Sequence, residues 1–203
     1  MIHRMHEFEN CAVIVAHPDD ETLWCGGSIL LHPEGKWTII SLTRKSDAER
    51  AEKFSKAVVE LGAKGIMGDM DDGPEQADLS EKQVQKQILD LLPMNHKFDV
   101  IITHCTWGEY TRHKRHEEIG KSALTLFRMG ELPTKQLWTF AYEDGGKKYL
   151  PKPVLDADIL TRLPDDLWQR KYDIITKTYG FAPDSFEAKT TPRKESFWCF
   201  NRK

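Results

Sequence analysis

Short runs of apolar residues alternate along the chain with longer segments in which apolar residues recur every three or four positions. The short runs are typical of buried strands, and the longer segments are typical of amphipathic helices. Strands that alternate with helices build a mostly parallel sheet covered by helices, so we predict an α/β fold. The predicted elements, in chain order, are strand 11–16, helix 21–31, strand 37–43, helix 46–62, a short strand 66–67, helix 80–93, strand 99–104, helix 116–129, strand 135–142 and a final helix 165–179.

Length and composition predict one soluble domain over residues 1–203, without a strongly charged partner. A formal net charge of −3 gives no general attraction to nucleic acid. No apolar run approaches the roughly 20 residues of a membrane span, and the first ten residues lack the order of a signal peptide. The widely spaced Cys11, Cys25, Cys105 and Cys199 indicate reduced thiols, so we expect a cytoplasmic protein.

The first candidate for chemistry is the stretch HPDDE at residues 17–21, between a predicted strand and a predicted helix. Ligands of open parallel sheets bind beyond the carboxyl ends of the strands. Across such a turn, His17 and Asp20 are placed to face one metal ion, while Asp19 points towards a bound water. The alternative interpretation is that one of the aspartates caps the helix and that His17 is a surface turn residue.

A second group of polar residues follows the predicted strand 99–104. It contains His104, Glu109, Tyr110, His113 and His116. The last two lie three residues apart at the start of a helix and therefore share one face. One of them, added to the His and Asp of the first motif, completes three protein ligands and leaves a position for water, as in catalytic zinc sites. These ligand types also suit ferrous iron, and the other histidine is left for acid or electrostatic work.

The stretches AVIVAHPDDETLWCGG and GEYTRHKRH together resemble the LmbE-like, or PIG-L, family of metal-dependent de-N-acetylases. The first stretch matches the family signature (A/G)HPDDE without a gap. The resemblance implies the LmbE-like fold, a Rossmann-like three-layer sandwich with a mostly parallel central sheet. It also implies hydrolysis of the N-acetyl group of an N-acetylglucosamine-type amino sugar or conjugate, with release of acetate and a free amine.

The resemblance assigns roles to five residues of the two motifs. It implies that His17, Asp20 and His116 bind Zn²⁺, with Fe²⁺ as the alternative metal. Asp19 would be the general base on a metal-bound water, whose pKa the metal lowers towards about 7. His113 would assist as an acid or by stabilising the oxyanion.

Tyr110, Arg50 and Asp72 are the candidate substrate-binding residues. Tyr110 is similar to a substrate- or oxyanion-contacting tyrosine of the family, although one additional residue separates it from the histidine pair. Lys114-Arg115 replaces the usual Pro-Asp between the two histidines. Asp72, in a loop similar to the family's Pro-Asp-Gly loop, either binds a sugar hydroxyl or forms a turn with Gly73.

The substrate is expected to be a small amino sugar, and a positive rim around the pocket would favour an anionic one. The rim would consist of Arg44, Lys45, Arg50, Arg112, Lys114 and Arg115. The alternative is that these are solvated charges balanced by neighbouring glutamates.

The sequence leaves alternatives for the reaction and for the C-terminal segment. A metal-dependent phosphoesterase or a hydrolase of a non-sugar amide could use the same site, whereas a dinucleotide-binding role is disfavoured because GxGxxG is absent. The aromatic segment 182–203 either closes the pocket or forms a contact in a homo-oligomer.

Overall fold

The computed structural model describes residues 8–94 and 96–202. Residues 1–7, which make up most of the segment inspected for a signal peptide, lie outside the described residues. In chain order the elements are β1 (Asn10–Val15), α1 (Asp20–Leu30), β2 (Lys36–Ser41), α2 (Ala48–Glu60), β3 (Lys64–Met67), α3 (Glu81–Leu91), β4 (Val100–Thr103), α4 (Lys114–Met129), β5 (Gln136–Phe140), β6 (Tyr142–Glu143), β7 (Lys152–Pro153), β8 (Ile159–Arg162), α5 (Asp165–Asp173), a π-helical turn (Ile174–Thr178), α6 (Phe186–Thr190) and β9 (Lys194–Asn201).

Within the described ranges, seven strands form the central sheet in the order β3-β2-β1-β4-β5-β9-β8. The first five of these are parallel, while β9 pairs antiparallel with both β5 and β8. The strands β6 and β7 form a separate antiparallel pair. The predicted α/β fold with a mostly parallel central sheet is therefore confirmed.

Alternate residues of β1 pack into different hydrophobic cores on the two faces of the sheet. Cys11, Val13 and Val15 pack with apolar residues of α1 and α2, whereas Ala12 and Ile14 pack with residues of α3 and α4. Successive side chains of a strand point to opposite faces, so a strand covered on both sides is apolar throughout. This explains why the apolar run of residues 11–16 has no polar positions.

Several predicted helix ends are confirmed. Ser80 caps α3 and forms a capping box with Gln83, in which each side chain bonds the other's backbone N–H. The helix predicted from residue 46 begins two residues later, at Ala48, and Asp47 caps it by accepting a hydrogen bond from the backbone N–H of Arg50 at 3.1 Å. Gly130 ends α4 in a left-handed conformation with φ of 83°, which glycine adopts without steric cost.

The C-terminal third departs from the prediction. The helix predicted over 165–179 is α-helical only to Asp173, and it is not the final element, because α6 and β9 follow it. The predicted strand 135–142 divides into β5 and β6. The strand β9 is antiparallel to β5, about sixty residues earlier, and local sequence patterns do not encode such a pairing.

Among the described residues, no helix combines the length and apolar character needed to cross a membrane. All four cysteines are free thiols, and three of them are buried.

Candidate active site

The two predicted clusters meet at the carboxyl ends of neighbouring strands. β1 and β4 are adjacent and parallel, with Ile14 opposite Thr103. This register places the residues that follow the two strands side by side, and the Ala16 backbone N–H donates to His104 Nε2 at 2.9 Å. The sheet topology therefore unites HPDDE with residues more than eighty positions later in the chain.

The carboxylate of Asp20 lies close to both His17 and His116. The Oδ2 atom of Asp20 lies 3.1 Å from His17 Nδ1 and 3.2 Å from His116 Nε2. Ligand atoms about 2.0–2.1 Å from a tetrahedral zinc ion are about 3.3 Å from one another. These two separations thus fit neighbouring ligands of one metal ion. The nitrogens of His17, His113 and His116 also lie within 4.8 Å of one another.

Two buried imidazole nitrogens of this cluster have no hydrogen-bond partner among the described residues. They are Nδ1 of His113 and Nε2 of His116. Because buried polar atoms are almost always paired with protein, water or an ion, an unpaired nitrogen aimed at other ligand atoms calls for a ligand. The donor set, neutral imidazoles with a carboxylate, fits a divalent zinc or iron ion.

His104 is close to the cluster but is not available as a ligand. Its Nε2 atom accepts the hydrogen bond from Ala16, and its Nδ1 atom lies 2.9 Å from Glu109 Oε2. Both ring nitrogens are therefore occupied by the protein. Two sets of side chains have ligand atoms within 4.8 Å of one another, His17 with His113 and His116, and Asp20 with His104 and His116. The hydrogen bonds of His104 leave Asp20 and His116 as the available members of the second set.

The carboxylates of the cluster stabilise positive charge on two of its imidazoles, His17 and His116. Burial alone would raise the pKa of Asp20, but the adjacent His116 and the other histidines hold it well below its usual value. Burial would lower the pKa of His116, but the carboxylates of Asp20 and Glu109 raise it to about 10. Burial together with the neighbouring His116 and His17 lowers the pKa of His113 to about 3, so this imidazole is neutral at neutral pH.

Asp19 lies in the strained turn between β1 and α1. Its φ of 114° is a conformation that residues other than glycine rarely adopt. It occupies the N-cap position of α1, but its side chain makes no capping hydrogen bond within the described part of the chain, so capping does not account for this carboxylate. Burial and the charge of Asp20 raise the pKa of Asp19, while Arg50, whose Nη2 lies 3.8 Å from Asp19 Oδ1, opposes the shift.

Glu21 holds this turn in place, a role that the sequence analysis missed. Its carboxylate is fully buried and accepts the backbone N–H of Asp19 at 3.0 Å. The hydroxyl groups of Thr22 and Tyr179 also donate to it, at 2.6 and 2.7 Å. The glutamate of HPDDE therefore supports the strained backbone beside the candidate metal ligands. The sequence motif alone does not distinguish a structural glutamate from a catalytic one.

A cavity of about 280 Å³ opens above the cluster. It is lined by seven of the eight predicted site residues, namely His17, Asp19, Asp20, Arg50, Asp72, Tyr110 and His113. The eighth, His116, is buried and packs against His113 with ring centroids 3.9 Å apart. The structure thus brings together all of the predicted site residues.

Tyr110 lies between the cluster and the C-terminal part of the chain. Its ring centroid is 5.5 Å from that of His113 and 5.0 Å from that of Phe186. Burial and the nearby carboxylates, first that of Asp20, raise its pKa. The phenol is therefore a neutral hydroxyl that can donate a hydrogen bond into the cavity.

The predicted positive rim does not form. Arg44 is paired with Asp72, with Nε to Oδ2 at 3.0 Å. Lys114 is paired with Asp78, and Arg115 is fully buried, where its Nε donates to a backbone carbonyl at 2.7 Å. Of the six rim residues, Arg44 and Arg50 alone line the cavity in the described structure.

Asp72 lies in the cavity wall rather than in a turn with Gly73. Its Oδ1 atom accepts from the Gln76 side chain at 2.9 Å and lies 3.3 Å from His17 Nε2. The backbone N–H of Gly73 is bonded instead by the side chain of Asp71, at 3.1 Å.

Phe186 and Glu187 of α6 complete the wall, and the sequence analysis did not single out their helix. This supports the alternative in which the C-terminal segment closes the pocket. These residues lie about seventy positions beyond the second motif, and nothing in their local pattern indicates that they reach the site.

The fold is an α/β sheet, and a cluster of histidine and aspartate side chains lies at the carboxyl ends of two neighbouring strands. These features define an α/β protein with a candidate metal site. The model of the PIG-L family, described as GlcNAc-PI de-N-acetylase, matches residues 12–127, more than half of the chain. The chain therefore belongs to the PIG-L family. No curated protein matches the sequence significantly.

Solved structures show the same fold at low sequence identity. N,N'-diacetylchitobiose deacetylase from Pyrococcus horikoshii is 15% identical with a TM-score of 0.72, over 96% of this chain and 85% of that one. The zinc-inhibited form of teicoplanin deacetylase Orf2 is 11% identical with a TM-score of 0.66, over 96% and 99%. The 4-carboxy-2-hydroxymuconate hydratase from Pseudomonas putida is 15% identical with a TM-score of 0.63, over 96% and 98%. Because one of these proteins is a hydratase and the others are deacetylases, the structural similarity shows the fold and not the activity.

Proposed function

We propose that this protein is a metal-dependent hydrolase that removes the N-acetyl group from an N-acetylglucosamine-type amino sugar or its conjugate, releasing acetate and a free amine. The observation that carries the proposal is that one carboxylate oxygen of Asp20 lies 3.1–3.2 Å from a ring nitrogen of His17 and of His116, beside the buried carboxylate of Asp19. Membership of a family described as GlcNAc-PI de-N-acetylase supports it, as do two structural neighbours described as deacetylases.

His17, Asp20 and His116 would hold the metal, which we propose to be zinc, with ferrous iron as the alternative. A bound ion of this kind acts as a Lewis acid on the amide carbonyl and on the attacking water. The protein keeps these three side chains in position through the strained turn at Asp19 and the start of α4.

Asp19 would act as the general base and then as the general acid. Its carboxylate lines the cavity, and burial raises its pKa towards the range in which a carboxylate accepts a proton efficiently. It takes one proton from the attacking water and delivers it to the leaving amine nitrogen. Arg50, 3.8 Å away, keeps the ionised form accessible.

His113 and Tyr110 would stabilise the oxyanion that forms on the former carbonyl oxygen. Both line the cavity, and both are neutral at neutral pH: burial lowers the pKa of His113 to about 3, while a phenol such as Tyr110 keeps its proton there and burial raises its pKa further. A donor aimed at a developing oxyanion typically lowers the barrier by about 3–4 kcal/mol. We therefore assign His113 to oxyanion stabilisation rather than to proton delivery.

The size of the cavity favours a substrate as small as one sugar ring. Its volume of about 280 Å³ is slightly below the roughly 300–1,000 Å³ of typical small-molecule sites. Its wall offers the carboxylates of Asp72 and Glu187 as acceptors for sugar hydroxyls, and the charge of Arg44 is already neutralised by Asp72. We therefore propose a neutral acetamido sugar within the cavity, with any conjugated group outside it.

The test is amine release from N-acetylated amino sugars in free, phosphorylated and nucleotide-linked forms, with protein of measured metal content. We expect turnover that is lost on chelation and restored by zinc or ferrous iron. Asp19→Asn should lower kcat at least 100-fold with metal content unchanged, since it removes the base but no ligand. Glu52→Gln, an exposed carboxylate on α2, is the matched control.

Two results would overturn the proposal. Release of amine by metal-free protein, or by Asp19→Asn at the wild-type rate, would refute the mechanism. No release from any sugar by fully loaded protein would refute the substrate class. A phosphoesterase or a hydrolase of a non-sugar amide would then be the next candidate at this site.

A further inference from the structure

A buried glutamate that has no role in the proposed reaction connects two histidines at the site. Glu109 is fully buried and lies in the loop between β4 and α4. Its Oε2 atom lies 2.6 Å from His116 Nδ1 and 2.9 Å from His104 Nδ1. Its Oε1 atom accepts the backbone N–H of Cys105 at 3.0 Å. One carboxylate thus serves three neighbours, one of which is a candidate metal ligand.

The proton positions on His104 follow from its neighbours. The Ala16 backbone N–H can only donate, so His104 Nε2, 2.9 Å away, accepts and carries no proton. A neutral imidazole with a bare Nε2 has its proton on Nδ1. That proton points to Glu109, so His104 donates to the carboxylate and connects it to the end of β1.

The same reasoning extends to His116. An ionised carboxylate has no proton to donate, so the 2.6 Å contact requires a proton on His116 Nδ1. The other nitrogen, Nε2, then faces Asp20 and has no hydrogen-bond partner in the described structure. Nε2 is therefore the atom through which His116 can bind a metal.

We infer that Glu109 is a positioning residue, which holds His116 in the tautomer and orientation that present Nε2 to the metal, while His104 anchors Glu109 to the sheet. The inference rests on the proposed metal site. It explains why the chain buries an imidazole such as His104 beside the cluster with both of its nitrogens already bonded. Partners of this kind outside the metal's own ligands typically change metal affinity 10- to 100-fold.

A glutamine at this position cannot replace the carboxylate. Glu109 accepts hydrogen bonds from three donors, whereas a glutamine side chain combines one carbonyl oxygen with an NH₂ group that only donates. In Glu109→Gln, the NH₂ group would face either Cys105 N–H or the imidazole protons. The imidazole tautomers must then change, or hydrogen bonds are lost.

The experiment measures zinc affinity by competition with a chromophoric chelator, on wild-type protein, Glu109→Gln and a matched control. The control is Glu118→Gln, a partly buried carboxylate on α4 that pairs with Arg115 outside the network. We expect 10- to 100-fold weaker zinc binding for Glu109→Gln and a change below threefold for Glu118→Gln. Thermal unfolding of the metal-free proteins shows whether each variant is folded.

A folded Glu109→Gln that binds zinc within threefold of wild type overturns the inference. Absence of zinc binding by the wild type refutes the proposed function instead, so the two failures are distinguishable.

A second readout does not depend on the variant. In ¹⁵N spectra of the wild type, His104 should carry its proton on Nδ1 with and without zinc, and zinc-loaded His116 should also carry it there. A proton on Nε2 of either ring in the zinc-loaded protein overturns the inference. This test holds even if Glu109→Gln does not fold.

Discussion

Glu195 and Lys171 form a fully buried ion pair that connects β9 to α5 and contacts the last turn of α1. Lys171 Nζ donates to Glu195 Oε1 at 2.6 Å, and the backbone N–H of Gly27 donates to the same oxygen at 2.8 Å. The backbone N–H and the hydroxyl of Ser28 both donate to Oε2 at 2.6 Å. Burial lowers the pKa of Lys171, and the charge of Glu195 opposes this shift. The buried ammonium of Lys171 is therefore stabilised in its charged form by the carboxylate of Glu195.

Glu195→Gln should destabilise the protein by about 3–5 kcal/mol, because it leaves a buried ammonium without its counter-ion. For a domain of this size, 1 kcal/mol changes Tm by about 2–4 °C, so the expected decrease is about 6–20 °C. The exposed pair of Glu52 and Lys56 provides the matched control. Glu52→Gln should cost less than about 0.5 kcal/mol, since exposed pairs one helical turn apart contribute little.

The pH dependence separates a charge effect from a packing effect. With Glu195 neutralised, the pKa of folded Lys171 falls further below its unfolded value of about 10.4. The unfolded state then binds more protons than the folded state between the two pKa values, so stability rises with pH in that range. The deficit of Glu195→Gln relative to wild type should therefore shrink as pH increases towards 10.

The measurement is urea unfolding of wild type, Glu195→Gln, Lys171→Met and the double variant, at several pH values from 6 to 10. The double variant should recover part of the loss, because it removes the unpaired charge. A loss below about 1 kcal/mol for Glu195→Gln, or a deficit independent of pH, would refute the reasoning.

Three further changes test local contacts by thermal or urea unfolding. Gly120→Ala should cost about 1–3 kcal/mol, because its Cβ would clash with the backbone carbonyl group of Cys105 and would lie 2.8 Å from the His104 carbonyl oxygen. Gly26→Ala, with a nearest contact of 3.4 Å, should not destabilise, and equal effects would contradict this. Tyr179→Phe should cost about 1–3 kcal/mol, since it removes a donor from the buried Glu21; an unchanged Tm would exclude the role given to Glu21. Ser80→Ala should cost about 0.5–2 kcal/mol through the lost capping box, with a Tm within 1 °C of wild type as the contrary result.

The hydrophobic pattern predicted the first two thirds of the fold, because strands and helices alternate there and each buries a regular set of apolar positions. β1, β2 and β4 are covered on both faces, so apolar residues predominate in all three, and the helices between them have local start and stop signals. The C-terminal part was predicted less well, since β9 enters the sheet between β5 and β8 and reverses the strand direction. The prediction of a rim of free basic residues failed, because Arg44 is paired with Asp72. Such ion pairs depend on which loops meet in the folded protein.

By itself, the sequence determined the α/β class, the two motifs and the identity of the candidate ligands, because these depend on periodicity and on residue chemistry within short segments. Only the tertiary structure decided that His104 has both nitrogens occupied, that Glu109 joins it to His116, and that α6 closes the cavity. The physical reason is distance along the chain. A parallel sheet brings the ends of β1 and β4 together, and hydrogen bonds between them depend on coordinates that no local pattern contains.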